Sequence, residues 1–269
     1  MGAAVGGCLV GRGHRVVSPC AERSAETRSR AAAAGIEDVG TLAKALQAAE
    51  IVLSVCPPHG AMELAREVAG RNFRGIYVDG NAVSPDSARA IGRVVEAGGA
   101  SFIDGGIVGP PPGNGVRVWL YLCGARAGDI AECFTGSDVV AEVLGAHLGA
   151  ASALKMCFAA WSKGSTALLG AIRSLAQHEG VDAALLAEWA HSAPDLPKRS
   201  QNIATSAYKA WRYVGEMEEI AASFAAAGLP DGFHLAAAEI YRRLEGFKSA
   251  TKPPAISEVT AALAARAKH

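Results

Sequence analysis

The amino-terminal stretch MGAAVGGCLVGRGHRVVSP (residues 1–19) is where the fold is decided. Gly2 and Gly6 open a helix, Gly11-Arg12-Gly13-His14 makes a turn, and a β-branched strand begins near His14. A glycine-spaced helix start beside a strand is either an anion-holding loop or an ordinary glycine-rich helix. The sequence beyond it sets the context. Short apolar runs recur at HRVVS (14–18), IVLSV (51–55), GIYVD (75–79), SFIDG (101–105), RVWLYLCG (117–124) and VVAEVLG (139–145). Between them, 24–34, 41–49, 60–70 and 84–97 have helix composition, with Thr41 and Ser84-Pro85 at cap positions. Strands alternating with helices of this length imply βαβ units and a mostly parallel sheet.

After Gly149 the strand signal ends. Residues 150–179, 183–192, 198–210, 214–227 and 231–245 read as helices, broken at Gly180, Pro194, Pro197, Gly228 and Pro230. On the first, at about 100° per residue, Lys155, Ser162, Thr166 and Arg173 share one direction, flanked by Ser152 and Lys163. Leu154, Phe158, Trp161, Leu168 and Ile172 point elsewhere, into an expected core. A polar stretch, KSATKPP (248–254), leads to an alanine-rich tail that reads equally as a docked helix or a frayed end.

The 269 residues are half hydrophobic, with Lys plus Arg equal to Asp plus Glu at 26 each. That neutrality argues against nucleic acid or an anionic membrane as partner. Neither a signal peptide nor an apolar run long enough for a bilayer is read. The six cysteines are scattered, with no metal-ligand spacing, so the expectation is a reduced, cytoplasmic protein without a metal.

In a dinucleotide-binding fold, glycines at a first helix let backbone approach a pyrophosphate. Here Gly2 holds the last such position. The strand after it ends without an acidic residue, since Glu22 lies several residues on; Arg23, Ser24 and Arg28 suit a 2′-phosphate instead. The expected cofactor is NADP, with NAD as the alternative.

SVCPP (54–58), YVDGNAVSP (77–85), FIDGGIVGPPP (102–112) and LGAHLGAASALKM (144–156) follow the opening in order. Over residues 1–245 the succession resembles the β-hydroxyacid dehydrogenase and 6-phosphogluconate dehydrogenase superfamily. More narrowly, it resembles bacterial NAD(P)-dependent oxidoreductases with a 6-phosphogluconate-dehydrogenase-like C-terminal domain. The resemblance implies a Rossmann-like α/β domain over 1–146, an all-α domain over 147–246 and a tail over 247–269. In that family a strand and further glycines precede the residue matching Gly2. The expectation is therefore an N-terminally truncated first domain with an incomplete pyrophosphate cradle.

The same resemblance implies the site. Val55, Cys56 and Pro57 match the turn against the nicotinamide half of the cofactor, and Asn81 the amide that bonds its ribose. Asp104, Gly105 and Gly106 match the substrate loop, where consecutive glycines expose N–H groups to a carboxylate; the family's Ser-Gly-Gly is altered here. Lys155 matches the catalytic lysine. The family's Asn four residues later is Ala159, leaving Lys163 as a substitute polar contact, and Glu216 stands where a late helix lines the substrate site. The function implied is hydride transfer between nicotinamide and a small hydroxy-acid or carbonyl substrate, in a homodimer joined through the helical domain. The alternatives are an imine-reductase-like enzyme, with Glu216, Glu218 and Glu219 receiving a cation, and a degenerate family member without catalysis.

Overall fold

A computed structural model of the chain describes residues 1–265; residues 266–269 of the expected tail lie outside them. β-Branched and aromatic residues build the central sheet, with β3 (Ile51–Ser54), β4 (Ile76–Asp79), β5 (Ser101–Val108), β6 (Val118–Cys123) and β7 (Val139–Val143) side by side in chain order. β3, β4 and β5 run parallel, β6 reverses against β5, and β7 is parallel to β6. All four residues of β4 are buried, as in a strand covered on both faces. On one face α4 (Pro58–Gly70) and α5 (Pro85–Ala97) pack Ala65, Val68, Ile91 and Val95 against Tyr77 and Phe102. On the other, Val5 of α1 (Gly2–Gly11) and Ile130 of α6 (Ala127–Cys133) meet Val78, Ile103, Leu120 and Leu122.

A second parallel pair, β1 (Val17–Ser18) with β2 (Glu37–Asp38), accompanies α2 (Ala25–Ala33) and α3 (Leu42–Ala48). Helix α1 touches both sheets. Its Val5 lies in the central core, and a Cβ on Gly6 would come within 2.7 Å of Ile36, beside β2. This is the expected Rossmann-like arrangement, a parallel-dominant sheet between helices.

The chain divides into two compact units, the first ending at Met156 and the second beginning at Cys157. Helix α7 (Ala150–His178) contributes its start to the first and the rest to the second. The second unit is all-helical: α8 (Asp182–Ser192), α9 (Leu196–Arg199), α10 (Asn202–Ser206), α11 (Ala210–Ala226), α12 (Gly232–Arg242) and α13 (Ile256–Ala264). No helix among the described residues is long and apolar enough to cross a membrane.

Four local expectations change. The strand expected over 14–18 shrinks to two residues and pairs with β2, which has no apolar rhythm to read; Arg15 and Glu37 pair across it at 2.9 Å. The helix expected over 198–210 breaks into α9, α10 and a 3-10 turn at Ala207–Lys209. β5 continues to Val108, so DGGIV is strand rather than loop.

The fourth change inverts the faces of α7. Phe158, Trp161 and Leu168, expected inside, are 43–65% exposed. The packed face uses small residues instead: a Cβ on Gly164 would lie 3.2 Å from Phe233 of α12, and one on Gly170 2.7 Å from Ile203 of α10. Neighbouring helices come too close for bulky side chains there. Arg173, expected on the polar stripe, is 2% exposed, bonded to both carboxylate oxygens of Asp182 and to Ser200.

The tail is docked as far as it is described. Val259, Thr260 and Leu263 of α13 are buried, and Ser174 Oγ donates to the Thr260 carbonyl at 2.9 Å. Leu263→Ala is therefore expected to cost about 2–5 kcal/mol in urea unfolding; an unchanged midpoint would show that α13 adds nothing to the second unit.

Candidate active site

At the carboxyl end of β3, Pro57 and Pro58 stop the strand and start α4, because proline lacks the ladder N–H but suits a first helical turn. The turn between them is fastened from below. Cys56 N donates to Asn81 Oδ1 at 2.6 Å, Asn81 Nδ2 donates to Ser54 Oγ at 2.8 Å, and Asn81 N donates to Asp79 Oδ1 at 2.8 Å. Asn81 is only 2% exposed. It was expected to reach a ribose directly; its amide instead braces the Cys56 turn.

Around this turn the structure gathers other expected residues. A Cβ on Gly2 would lie 3.6 Å from that of Val55, so the start of α1 abuts the end of β3. Burial pushes the Cys56 thiol up, and the positive charge of Arg23 is among the groups opposing this, which places Arg23 in electrostatic reach. Arg23 follows β1, and Arg28 Nη1 donates to its carbonyl at 2.8 Å. The Ser24 hydroxyl caps α2 by accepting from Thr27 N at 3.3 Å.

Lys155 lies on the same rim. A Cβ on Gly80 would meet Val55 and Ile107 Cδ1, each at 3.4 Å, and Lys155 Nζ donates to the Ile107 carbonyl at 2.7 Å. Burial of the ammonium lowers its pKa from 10.5 to about 8. Close approaches thus run from Gly2 to Val55 and from Gly80 to Val55 and Ile107, whose carbonyl holds Lys155. The acceptor at Ile107 is a backbone oxygen that no side-chain pattern announces.

Asp104, Gly105 and Gly106 do not form an open loop. Asp104 is 0% exposed, and its carboxylate receives Gly149 N, Ser152 N, Ser152 Oγ and Cys123 Sγ. Gly105 and Gly106 pair with Leu122 and Tyr121 in the β5–β6 ladder. A Cβ on Gly105 would sit 2.9 Å from the Asp79 carbonyl oxygen, and one on Gly106 2.6 Å from that of Ala151. These glycines serve close packing rather than presentation of N–H groups.

Lys163 and Glu216 belong to the second unit and satisfy each other in a half-buried ion pair, with the ammonium 4.9 Å from the Tyr213 ring centroid. Glu218 is held by Arg242 at 2.9 Å. The acidic cluster expected to receive a cation is therefore largely neutralised from within the protein.

Residues 176–244 match a family described as a domain of unknown function, DUF1932. An uncharacterised 28.5 kDa protein of Methanothermus fervidus is 28% identical over 159 residues; the match covers 59% of this chain and 61% of that protein's length. A conserved protein of unknown function, described as structurally similar to 3-hydroxyacid dehydrogenases, is 25% identical with a TM-score of 0.65, over 91% of this chain and 93% of that one. The chain is similar to proteins of the β-hydroxyacid dehydrogenase and 6-phosphogluconate dehydrogenase superfamily and has their Rossmann-like and helical architecture. The fold is shared with 3-hydroxyisobutyrate dehydrogenase of Mycobacterium tuberculosis, at 21% identity and a TM-score of 0.68 over 98% and 96% of the two chains.

The residues present fit the nicotinamide dinucleotide of this superfamily. The glycine start of α1 abuts the end of β3 at Val55, and the Arg28 guanidinium is held at the Arg23 carbonyl just before α2. The Cys56 turn between these groups and Lys155 depends on Asn81. Asn81→Ala is expected to lower stability by about 1–3 kcal/mol, through the orphaned Cys56 N–H, and to speed labelling of Cys56 by a disulfide reagent. Unchanged labelling would show the turn to be held by other means.

Proposed function

We propose that this chain is an NAD(P)-dependent oxidoreductase acting on a small hydroxy-acid or carbonyl substrate, with Lys155 as general acid and base. When bound, the cofactor supplies or accepts the hydride. The observation that carries the reading is the half-buried Lys155 ammonium, with a pKa of about 8, in contact continuity with the Val55–Gly2 rim. A lysine tuned toward neutral pH exchanges a proton efficiently with the reacting oxygen. Arg23 and Arg28 support NADPH over NADH, since guanidinium groups match a 2′-phosphate.

The sign of the pH dependence follows from the lowered pKa. Below about 8 the ammonium predominates and donates, so carbonyl reduction falls as pH rises through that midpoint. Alcohol oxidation needs the free amine and rises through the same midpoint. Lys155→Met is expected to lower kcat by about 10²–10⁴-fold without weakening NADPH binding measured by calorimetry. Wild-type turnover in that variant, against hydroxy acids and the matching carbonyl compounds, would sink the assignment.

A homodimer through the helical unit goes with this reading. Trp161, Leu168 and Leu175 recur every seven residues along α7, preceded by Phe158, and all four are exposed. A seven-residue apolar seam suits pairing with another helix, and a second copy of the chain is its partner. The six unpaired thiols suit a reducing compartment. Light scattering should return twice 27.5 kDa, falling to the single-chain mass with Trp161→Glu plus Leu168→Glu. A wild-type mass near 27.5 kDa would rule the dimer out.

A further inference from the structure

We infer that Asp104 is a positioning residue for Lys155, acting through the start of α7; the inference rests on the role proposed for Lys155. Asp104 is in the interior of β5 with a side chain wholly removed from solvent. Burying a carboxylate is costly unless it is fully bonded. Among the described residues no basic side chain forms an ion pair with Asp104. Its hydrogen-bond partners are all neutral donors. Gly149 N, Ser152 N and Cys123 Sγ reach Oδ2 at 3.0, 3.1 and 3.2 Å, and Ser152 Oγ reaches Oδ1 at 2.6 Å.

Two of those donors are backbone N–H groups at the start of α7. Asp104 therefore does from a sheet what an N-cap residue does from the preceding turn, and it meets the positive end of the helix. The contact fixes more than charge. Gly149 N and Ser152 N aim at one carboxylate oxygen while the Ser152 hydroxyl aims at the other, which sets both the rotation and the axial position of the first turn.

Lys155 is three residues beyond Ser152, less than one turn. The strand that caps the turn also anchors the lysine, because the Ile107 carbonyl accepts from Nζ. Both contacts join a β5 residue to the α7 residue 48 positions later: Asp104 with Ser152, and Ile107 with Lys155. Gly106 lies between them, and its missing side chain lets the strand reach the helix: a Cβ there would stand 3.2 Å from Lys155 Cβ. The segment from Ser152 to Lys155 is held at both ends by one rigid strand. From the opposite side Arg89 Nη1 donates to the Leu148 carbonyl at 3.4 Å, which steadies the entry into the helix. Release of the Asp104 end frees the turn, admits water to the ammonium and lets Nζ leave the Ile107 oxygen.

A purely structural buried aspartate would affect stability alone, so the test reads Lys155 itself. The lysines of the full chain are reductively methylated with ¹³C-formaldehyde and titrated by NMR, with Lys155→Arg identifying the resonance. In Ser152→Ala and Asp104→Asn the Lys155 midpoint is expected to move upward from about 8 toward the 10.5 of an ordinary lysine. The acid–base midpoint of turnover should move with it, and kcat should fall more than KM changes. Val95→Ala, in the core under α5, should lower the unfolding midpoint and leave the Lys155 titration at its wild-type position. Ser152→Ala deletes a single hydroxyl and carries the test if Asp104→Asn does not fold. A folded Ser152→Ala variant with a wild-type Lys155 midpoint would overturn the inference. Loss of the Lys155 catalytic role would be seen separately, as full turnover in Lys155→Met with the titration shifts intact.

Discussion

At Gly106 the backbone of β5 and the first turn of α7 approach until a single methyl group would not fit between them. A Cβ there would stand 2.6 Å from the Ala151 carbonyl oxygen, and on the preceding residue 2.9 Å from that of Asp79. β5 is thus closely confined, by its neighbour β4 within the sheet and by α7 on one face. This closeness brings a backbone carbonyl, that of Ile107, within reach of the lysine, and lets a strand carboxylate serve a helix. The lowered pKa of Lys155 then follows, because the stem of the side chain runs into a region from which water has been removed.

The rim is shaped by polar side chains that never reach its surface. Asn81 braces the turn of Cys56, Asp104 braces the turn of Ser152, and each is all but sealed from solvent. Such props suit a site that must hold geometry while a ligand comes and goes, because their hydrogen bonds are made in advance. The second unit uses a similar device: Arg173 gathers Asp182 and Ser200 beneath helices that pack through glycine and alanine.

The alternation of strand and helix, the change to helices after Gly149 and the placing of Lys155 on a long helix were all legible in the residues. Periodicity and turn chemistry act locally, and these features are local. Asn81 and Asp104 were read as ligand contacts because a polar residue after a strand looks alike whether it faces solvent or a neighbouring turn. The pair Gly105-Gly106 gave the same ambiguity, since glycine marks both an open loop and a tight crossing. β2 carried no signal at all, being two exposed acidic residues. On α7 the rule that large apolar residues face inward failed because its neighbours come too close to admit them, which only the tertiary structure reveals.

The reversal of β6 against β5 sets Cys123 directly across from Asp104. In the folded chain that thiol is inert: burial, reinforced by the facing carboxylate, raises it to about 11, and it has no access to solvent. Before the strands close, the same sulfur is an ordinary thiol in water. Conversion to a sulfinic or sulfonic group at that stage would set a second acidic group against the Asp104 carboxyl, which has no ion-pair partner among the described residues. At this position the hazard of oxygen falls on the nascent or refolding polypeptide and not on the finished one, so a reducing agent protects yield more than shelf life.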